Sequence, residues 1–145
     1  MPIQFKFDAR LSCLHTIAHG RVSLEEFLAY HRAIEITNPP ANLLILSDYR
    51  RLDPSGLKTS DIQQIKSSAL GKTERKYLSV KEAMVVAEDL AYGLSRMFAA
   101  IAHSDKYHVN VFHDIHAATK WLGLTAGAMV PADASFTEID LSSSS

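Results

Sequence analysis

Between Ala83 and Ile101 the hydrophobic pattern changes character, and the rest of the chain is arranged around that stretch. Ala83, Met84, Val85, Val86 and Ala87 form an apolar run without alternation, the mark of a strand covered on both faces in a parallel sheet. After Glu88-Asp89, Leu90, Leu94, Met97, Phe98 and Ile101 recur at three- and four-residue spacing, which predicts a helix laid on that sheet.

Ahead of this unit, Ile3, Phe5 and Phe7 alternate with Gln4, Lys6 and Asp8, the period of a half-buried strand. A short turn at Asp8-Ala9-Arg10 leads to an extended stretch from Leu11 to His19, ended by Gly20, so the first two strands are expected as a hairpin. Ser23, with Glu26 three residues on, is a capping box that opens a helix over Leu24 to Ile36, with Leu24, Phe27, Leu28, His31 and Ile34 facing the core. Asn38-Pro39-Pro40 ends it, and Leu43 to Ser47 is a second strand without alternation. The polar stretch Asp48 to Leu57 reads as a loop, and Thr59-Ser60-Asp61 caps a helix to about Leu70 with Ile62, Ile65 and Ala69 inside. Gly71 to Lys81, carrying Lys72, Arg75 and Lys76, reads as a solvated connection. His108 to His113 is the last strand. Asp114 caps a final helix whose stripe is Ile115, Ala118, Trp121 and Leu122, and Gly123 is placed to end it. Residues 1–124 thus form one domain; Thr125 to Ser145 loses periodicity and reads as a tail, on which Met129, Val130 and Phe136 are candidates for docking.

The order β-β-α-β-α-β-α-β-α predicts an α/β fold. A mostly parallel sheet of about five strands carries an N-terminal hairpin at its edge and four flanking helices. With 145 residues, one core suffices without staples. Fifteen Lys and Arg against sixteen Asp and Glu leave net charge -1, so no basic field points to nucleic acid. The single cysteine, Cys13, falls in a predicted strand and reads as a small buried side chain in a reducing compartment. The opening MPIQFKFDAR lacks the pattern of a secretory signal, and no apolar run approaches the ~20 residues of a membrane span, so a cytoplasmic location is expected.

GRVSLEEF after the second strand, LSDYR after the third, AEDLAYGLSRMF after the fourth and VFHDIHAATKWLGL at the end give the chain a resemblance to the SpoIIAA-like (STAS-like) small bacterial proteins, over Ile3 to Leu124. The resemblance implies a non-enzymatic interaction or regulatory module with a protein partner, or a ligand- or lipid-binding domain. In the anti-sigma factor antagonists of that family a serine in an Asp-Ser-Ser-Gly-Leu signature is phosphorylated at the start of the second helix. Asp53, Ser55, Gly56 and Leu57 match the signature and Pro54 departs from it. Ser55 is therefore a candidate for phosphorylation. The match lies ahead of the helix caps at Thr59 and Ser60, so a phosphate on Ser55 would miss the helix N-terminus that normally stabilises it, and an ordinary Asp-Pro-Ser-Gly turn is the favoured reading.

Ligands of open parallel sheets bind at the carboxyl ends of the strands. Here those ends carry His19, Asp48, Tyr49, Arg50, Arg51, Glu88, Asp89, His113 and Asp114. Tyr92 and Arg96, one helical turn apart, join them as a candidate partner surface, unless Arg96 serves to pair with Glu88 or Asp89. No HxH, HExxH, paired-cysteine, phosphate-loop or G-x-S-x-G spacing is present, so no metal, cofactor or nucleophile is expected, and Ser55 and Ser95 should have no histidine beside them. The leading expectation is an interaction domain. The second is a small-molecule or lipid carrier with a cavity between sheet and helices, for which Met84, Met97, Phe98 and Trp121 are candidate linings. The third is a hydrolytic or metal-dependent enzyme using the strand-end histidines and acids.

Overall fold

Strands β1 (Ile3–Asp8) and β2 (Cys13–Arg21) pair antiparallel, from Ile3 opposite Ala18 to Asp8 opposite Cys13, as the alternation of the first residues predicts. The computed structural model describes residues 3–36, 40–76, 78–87, 89–124 and 137–138. From β2 onward the strands are parallel: β2 with β3 (Asn42–Asp53), β3 with β4 (Ser79–Val85) and β4 with β5 (Tyr107–Phe112). The crossovers carry helices α1 (Leu24–Ile36), α2 (Thr59–Lys76) and α3 (Asp89–Ala102), and α4 (Ile115–Trp121) follows β5. A two-residue strand, β6 (Thr137–Glu138), pairs with β1, giving the order β5-β4-β3-β2-β1-β6. Among the described residues the result is an α/β fold with four α-helices and a mixed sheet, parallel apart from its N-terminal hairpin and β6. None of the described helices is long and apolar enough to cross a membrane.

Alternate residues of each strand build two unequal cores. Helices α1, α2 and α3 cover one face, where Ile3, Phe5, Leu14, Leu43, Ile45 and Met84 meet Phe27, Ile62, Ile65 and Phe98. The other face holds a smaller cluster, in which Cys13, Leu46, Ala83 and Val85 pack against Ala118 and Leu122 of α4. Burial there pushes the Cys13 thiol up to about 11, as expected of an inert structural cysteine. Lys81 stands beside α4, donating to the Trp121 carbonyl with its ammonium 4.4 Å from the centre of the indole ring, so one cation serves both the helix end and the ring face.

The caps form as the sequence predicts. Ser23 N–H donates to Glu26 Oε1 (3.0 Å) and Glu26 N–H to Ser23 Oγ (3.2 Å) at the start of α1. Asp114 Oδ1 accepts from His116 N–H (3.0 Å) at α4, which ends with Gly123 at φ 82° and Leu124 N–H donating to Thr119 O (2.9 Å).

Several boundaries differ from expectation, each through tertiary pairing. Gly20 does not end β2, which continues to Arg21 while β3 runs on through the supposed loop from Asp48 to Asp53 beside it. Ile17 faces Asp48 but His19 faces Arg51, so β3 carries one extra residue there. This bulge re-phases the strand and turns both Tyr49 and Leu52 inward. Helix α2 continues past Leu70 to Lys76, and β4 begins at Ser79, so most of the stretch expected as a connection is helix and strand; Val86 and Ala87 lie beyond the end of β4. Tyr107 belongs to β5, and Thr137–Glu138 of the expected tail adds to the sheet. On α3 the buried side is Ala91, Ser95, Phe98 and Ala102, while Met97 is exposed. On α1 the sequence stripe omitted Tyr30, which is buried. Asn38, Pro39, Glu88, Met129, Val130 and Phe136 lie outside the described residues.

Candidate functional site

Glu82 lies on the inner face of β4 between Val80 and Met84, a face otherwise apolar on that strand, and is only 5% exposed. A carboxylate in such a place needs hydrogen bonds. Two neutral hydroxyls supply them: Ser47 Oγ of β3 donates to Oε2 (2.7 Å) and the Tyr107 hydroxyl of β5 donates to Oε1. Strand register explains the meeting. Ile45 lies opposite Glu82, so Ser47, two residues along, reaches it diagonally; Tyr107 lies opposite Val80 and reaches it from the other side. Ser47 also faces Thr16 of β2, whose hydroxyl is 2.5 Å from that of Tyr30. The Tyr30 and Tyr49 hydroxyls both interact with Ser47 and feel the Glu82 charge.

Above this polar floor a cavity of about 100 Å³ separates the sheet from α1, α2 and α3. Glu82, Tyr30, Tyr49 and Tyr107 line it together with apolar side chains such as Ile45, Met84, Ile65 and Phe98. Two edge-to-face aromatic pairs brace the walls, Phe27 with Tyr49 (6.0 Å) and Phe98 with Tyr107 (6.2 Å). His31, Leu57, Ala69 and Leu94 on the same lining are half-buried, so the cavity reaches toward solvent. His31 Nδ1 is 3.0 Å from Ser68 Oγ of α2.

Electrostatics follow burial. Desolvation raises the Glu82 carboxyl above its ordinary range, against the opposing pull of the Tyr107 and Ser47 hydrogen bonds. Desolvation, with the nearby Glu82 charge, also raises Tyr30, Tyr49 and Tyr107, so these phenols stay neutral. Among the described residues no lysine or arginine pairs with Glu82; the ion pairs present are Arg10–Asp8 and Arg50–Asp48.

Residues expected at the strand ends divide among three places. Tyr49 faces the cavity from β3, and the bulge beside it brings Leu52 to the same lining. Asp48 and Arg50 form a bidentate pair on the outer side (2.7 and 2.8 Å). There burial would raise the Asp48 carboxyl, but the bonds from Arg50 prevail and hold it below its ordinary range. His19 lies opposite Arg51 across the β2–β3 ladder, and both are exposed. The third group is at α3: the Tyr92 ring packs at a 30° tilt against His113 (4.3 Å between centres), Arg96 lies 5.7 Å from the Tyr92 ring centre and donates to its hydroxyl (3.4 Å), and His113 Nδ1 is 3.2 Å from Val86 O. Arg96 forms no ion pair with Asp89, which is exposed at the start of α3, so the expected helix-anchoring pair with that residue is absent. Tyr92 and Arg96 line a shallow groove between α3 and β5 with His103 and Asn110.

Ser55 is exposed in a 3₁₀ turn (Pro54–Gly56), where its N–H donates to Asp53 Oδ1 (3.0 Å), three residues short of the first turn of α2. Among the described residues no histidine bonds to Ser55 or Ser95; Ser95 is buried on the cavity wall. Among the described residues no three or more His, Cys, Asp or Glu side chains come together as a metal site. Of the four candidate cavity linings, Met84 and Phe98 are on the cavity, Met97 is exposed, and Trp121 packs on the opposite face against Phe112.

Sequence reading missed Glu82, Ser47, Tyr30 and Tyr107. The available signals were a lone carboxylate immediately before an apolar run and a tyrosine at helical spacing from Phe27 and Ile34. No protein-family model, curated protein or solved structure matches the chain.

Proposed function

We propose that the chain is a non-enzymatic binding domain that holds a small molecule in the cavity between the sheet and helices α1 to α3. The observation that carries this reading is Glu82, a carboxylate held by two hydroxyls at the floor of an apolar space. Ligand sites commonly combine apolar walls with a few convergent polar groups. An empty cavity without polar groups would need no such network, and a purely structural carboxylate would be expected to lie in close packing. At about 100 Å³ the space is comparable with cavities of about 150 Å³ that take up benzene, so its occupant is a single ring or a short branched chain rather than a long acyl chain.

The test is a thermal-shift series with toluene, phenol, benzyl alcohol and benzylamine against the wild type and Ser95→Leu, a substitution directed into the cavity from α3. One or more of the four should raise the wild-type melting temperature in a saturable way, and Ser95→Leu should abolish the shift. Absence of any saturable shift would remove this reading.

The STAS-like kinship is retained as a proposal, supported by the order of elements along the chain. It favours a second reading, an interaction domain with a protein partner. The groove carrying Tyr92 and Arg96 beside the exposed His113 supports that reading, since tyrosine and arginine predominate at interface centres. Tyr92→Ala with Arg96→Ala would abolish partner capture while sparing the cavity's small-molecule uptake.

A further inference from the structure

We infer that the molecule held in this cavity is a small organic cation, an amine or ammonium on a single-ring or short-chain body, whose charge rests against Glu82. The inference rests on the binding-domain reading above and adds the chemical class of ligand. Glu82 is almost wholly buried, and no lysine or arginine among the described residues pairs with it. Its two bonds come from uncharged hydroxyls, which use about two of the roughly four acceptor sites of a carboxylate. The site is therefore supplied with acceptor capacity and, among the described residues, has no positive partner.

The walls have the same preference. Tyr49 and Tyr107, each braced by a phenylalanine, line the space around Glu82, and aromatic faces attract cations. Charge elsewhere on the lining does not oppose it. Tyr30 from α1, Tyr49 from β3 and Tyr107 from β5 are the phenols facing Glu82, all kept neutral by burial. Among the residues whose side chains are described, His31 of α1 is the remaining titratable lining residue, held through Nδ1 to Ser68, and α2 and α3 contribute none. A neutral ligand would leave the carboxylate without a counter-charge, and an anionic ligand would be repelled by it.

Calorimetric titration with benzylamine, benzyl alcohol and toluene tests this, since the three share a ring and differ in polar group. At pH 7 benzylamine is expected to bind at least about tenfold more tightly than either neutral compound, a modest ratio because desolvation of the ammonium offsets part of the gain. Glu82→Gln, verified as folded by its melting curve, should bring the three within about twofold. Should that variant fail to fold, wild type titrated at falling pH serves instead. Protonation of Glu82 then removes the preference while the alkylammonium stays charged. Neutral compounds binding as well as benzylamine would overturn the cation inference and leave the binding-domain reading standing. No binding by any of the three would overturn the cation inference, and no shift with phenol either would remove the binding-domain reading.

Discussion

The two faces of one sheet differ in what adjacent residues of the same strands are asked to do. On β4, Glu82 faces three helices across the cavity, while Ala83 is fully buried against α4. On β3, Ser47 belongs to the polar network and Leu46 to the close-packed cluster. The α4 face is close-packed around Leu46, Ala83 and Val85, with the His15 imidazole opposite Leu46 and the Thr119 hydroxyl of α4 buried beside them, whereas the three-helix face carries a carboxylate, three tyrosine hydroxyls and a cavity. That contrast in packing, more than any single residue, is what the proposed division into a binding face and a supporting face rests on.

The largest effect is expected from truncation on the supporting face. Leu46→Ala should lower stability by about 2–5 kcal/mol in denaturant unfolding, through lost burial and the void left under α4. A cost below about 1 kcal/mol would mean that this face is loosely packed after all.

Enlarging side chains should then separate the faces by sign. Ala83→Leu, overpacking the α4 side, should cost about 1–3 kcal/mol, whereas Ser95→Leu, growing into the cavity, should leave stability unchanged or raise the melting temperature. Equal losses at both sites would erase the contrast.

Titration offers a third way to separate them. Because the folded Glu82 carboxyl lies above its unfolded value, the native state binds more protons. Its contribution is fully present below about pH 4.5 and is lost as pH rises through the raised folded value. Asp48 on the outer side has the opposite sign, its contribution being lost as pH falls through its lowered value. Glu82→Gln should therefore flatten the fall in stability above about pH 4.5 and leave the acid limb in place. A fall unchanged by that substitution would assign it to another group.

The smallest effect is expected at the surface. Tyr92→Ala with Arg96→Ala removes a ring contact with His113 and an exposed contact, and should cost no more than about 1–1.5 kcal/mol by melting. A much larger loss would make the pair structural and weaken the partner-surface reading.

Elements whose signal is local were legible in the sequence. The capping box Ser23–Glu26, the Asp114 cap, the Gly123 terminus and the apolar runs of β3 and β4 each depend on neighbours a few residues away. The extension of β3 was not legible, because only Tyr49 and Leu52 of DYRRLD turn inward and the bulge that permits it arises in pairing with β2. The candidate site was hidden for a related reason. Glu82 gains its meaning from Ser47, 35 residues away, and Tyr107, 25 residues away, through strand register rather than spacing. Attention to strand ends found Tyr49 alone among the polar cavity residues, since a ligand-facing polar group can also lie in mid-strand beneath helices.

The most direct measurement is a methyl-resolved NMR titration with toluene, a neutral ring that tests the binding face independently of ligand charge. The Met84 methyl and the Ile45 methyls on the cavity side should shift in a saturable manner, while those of Leu46 and Val85 on the α4 side and of exposed Met97 stay in place. Absence of saturable shifts at Met84 and Ile45, or equal shifts on both faces, would contradict the assignment of the three-helix face as the binding face.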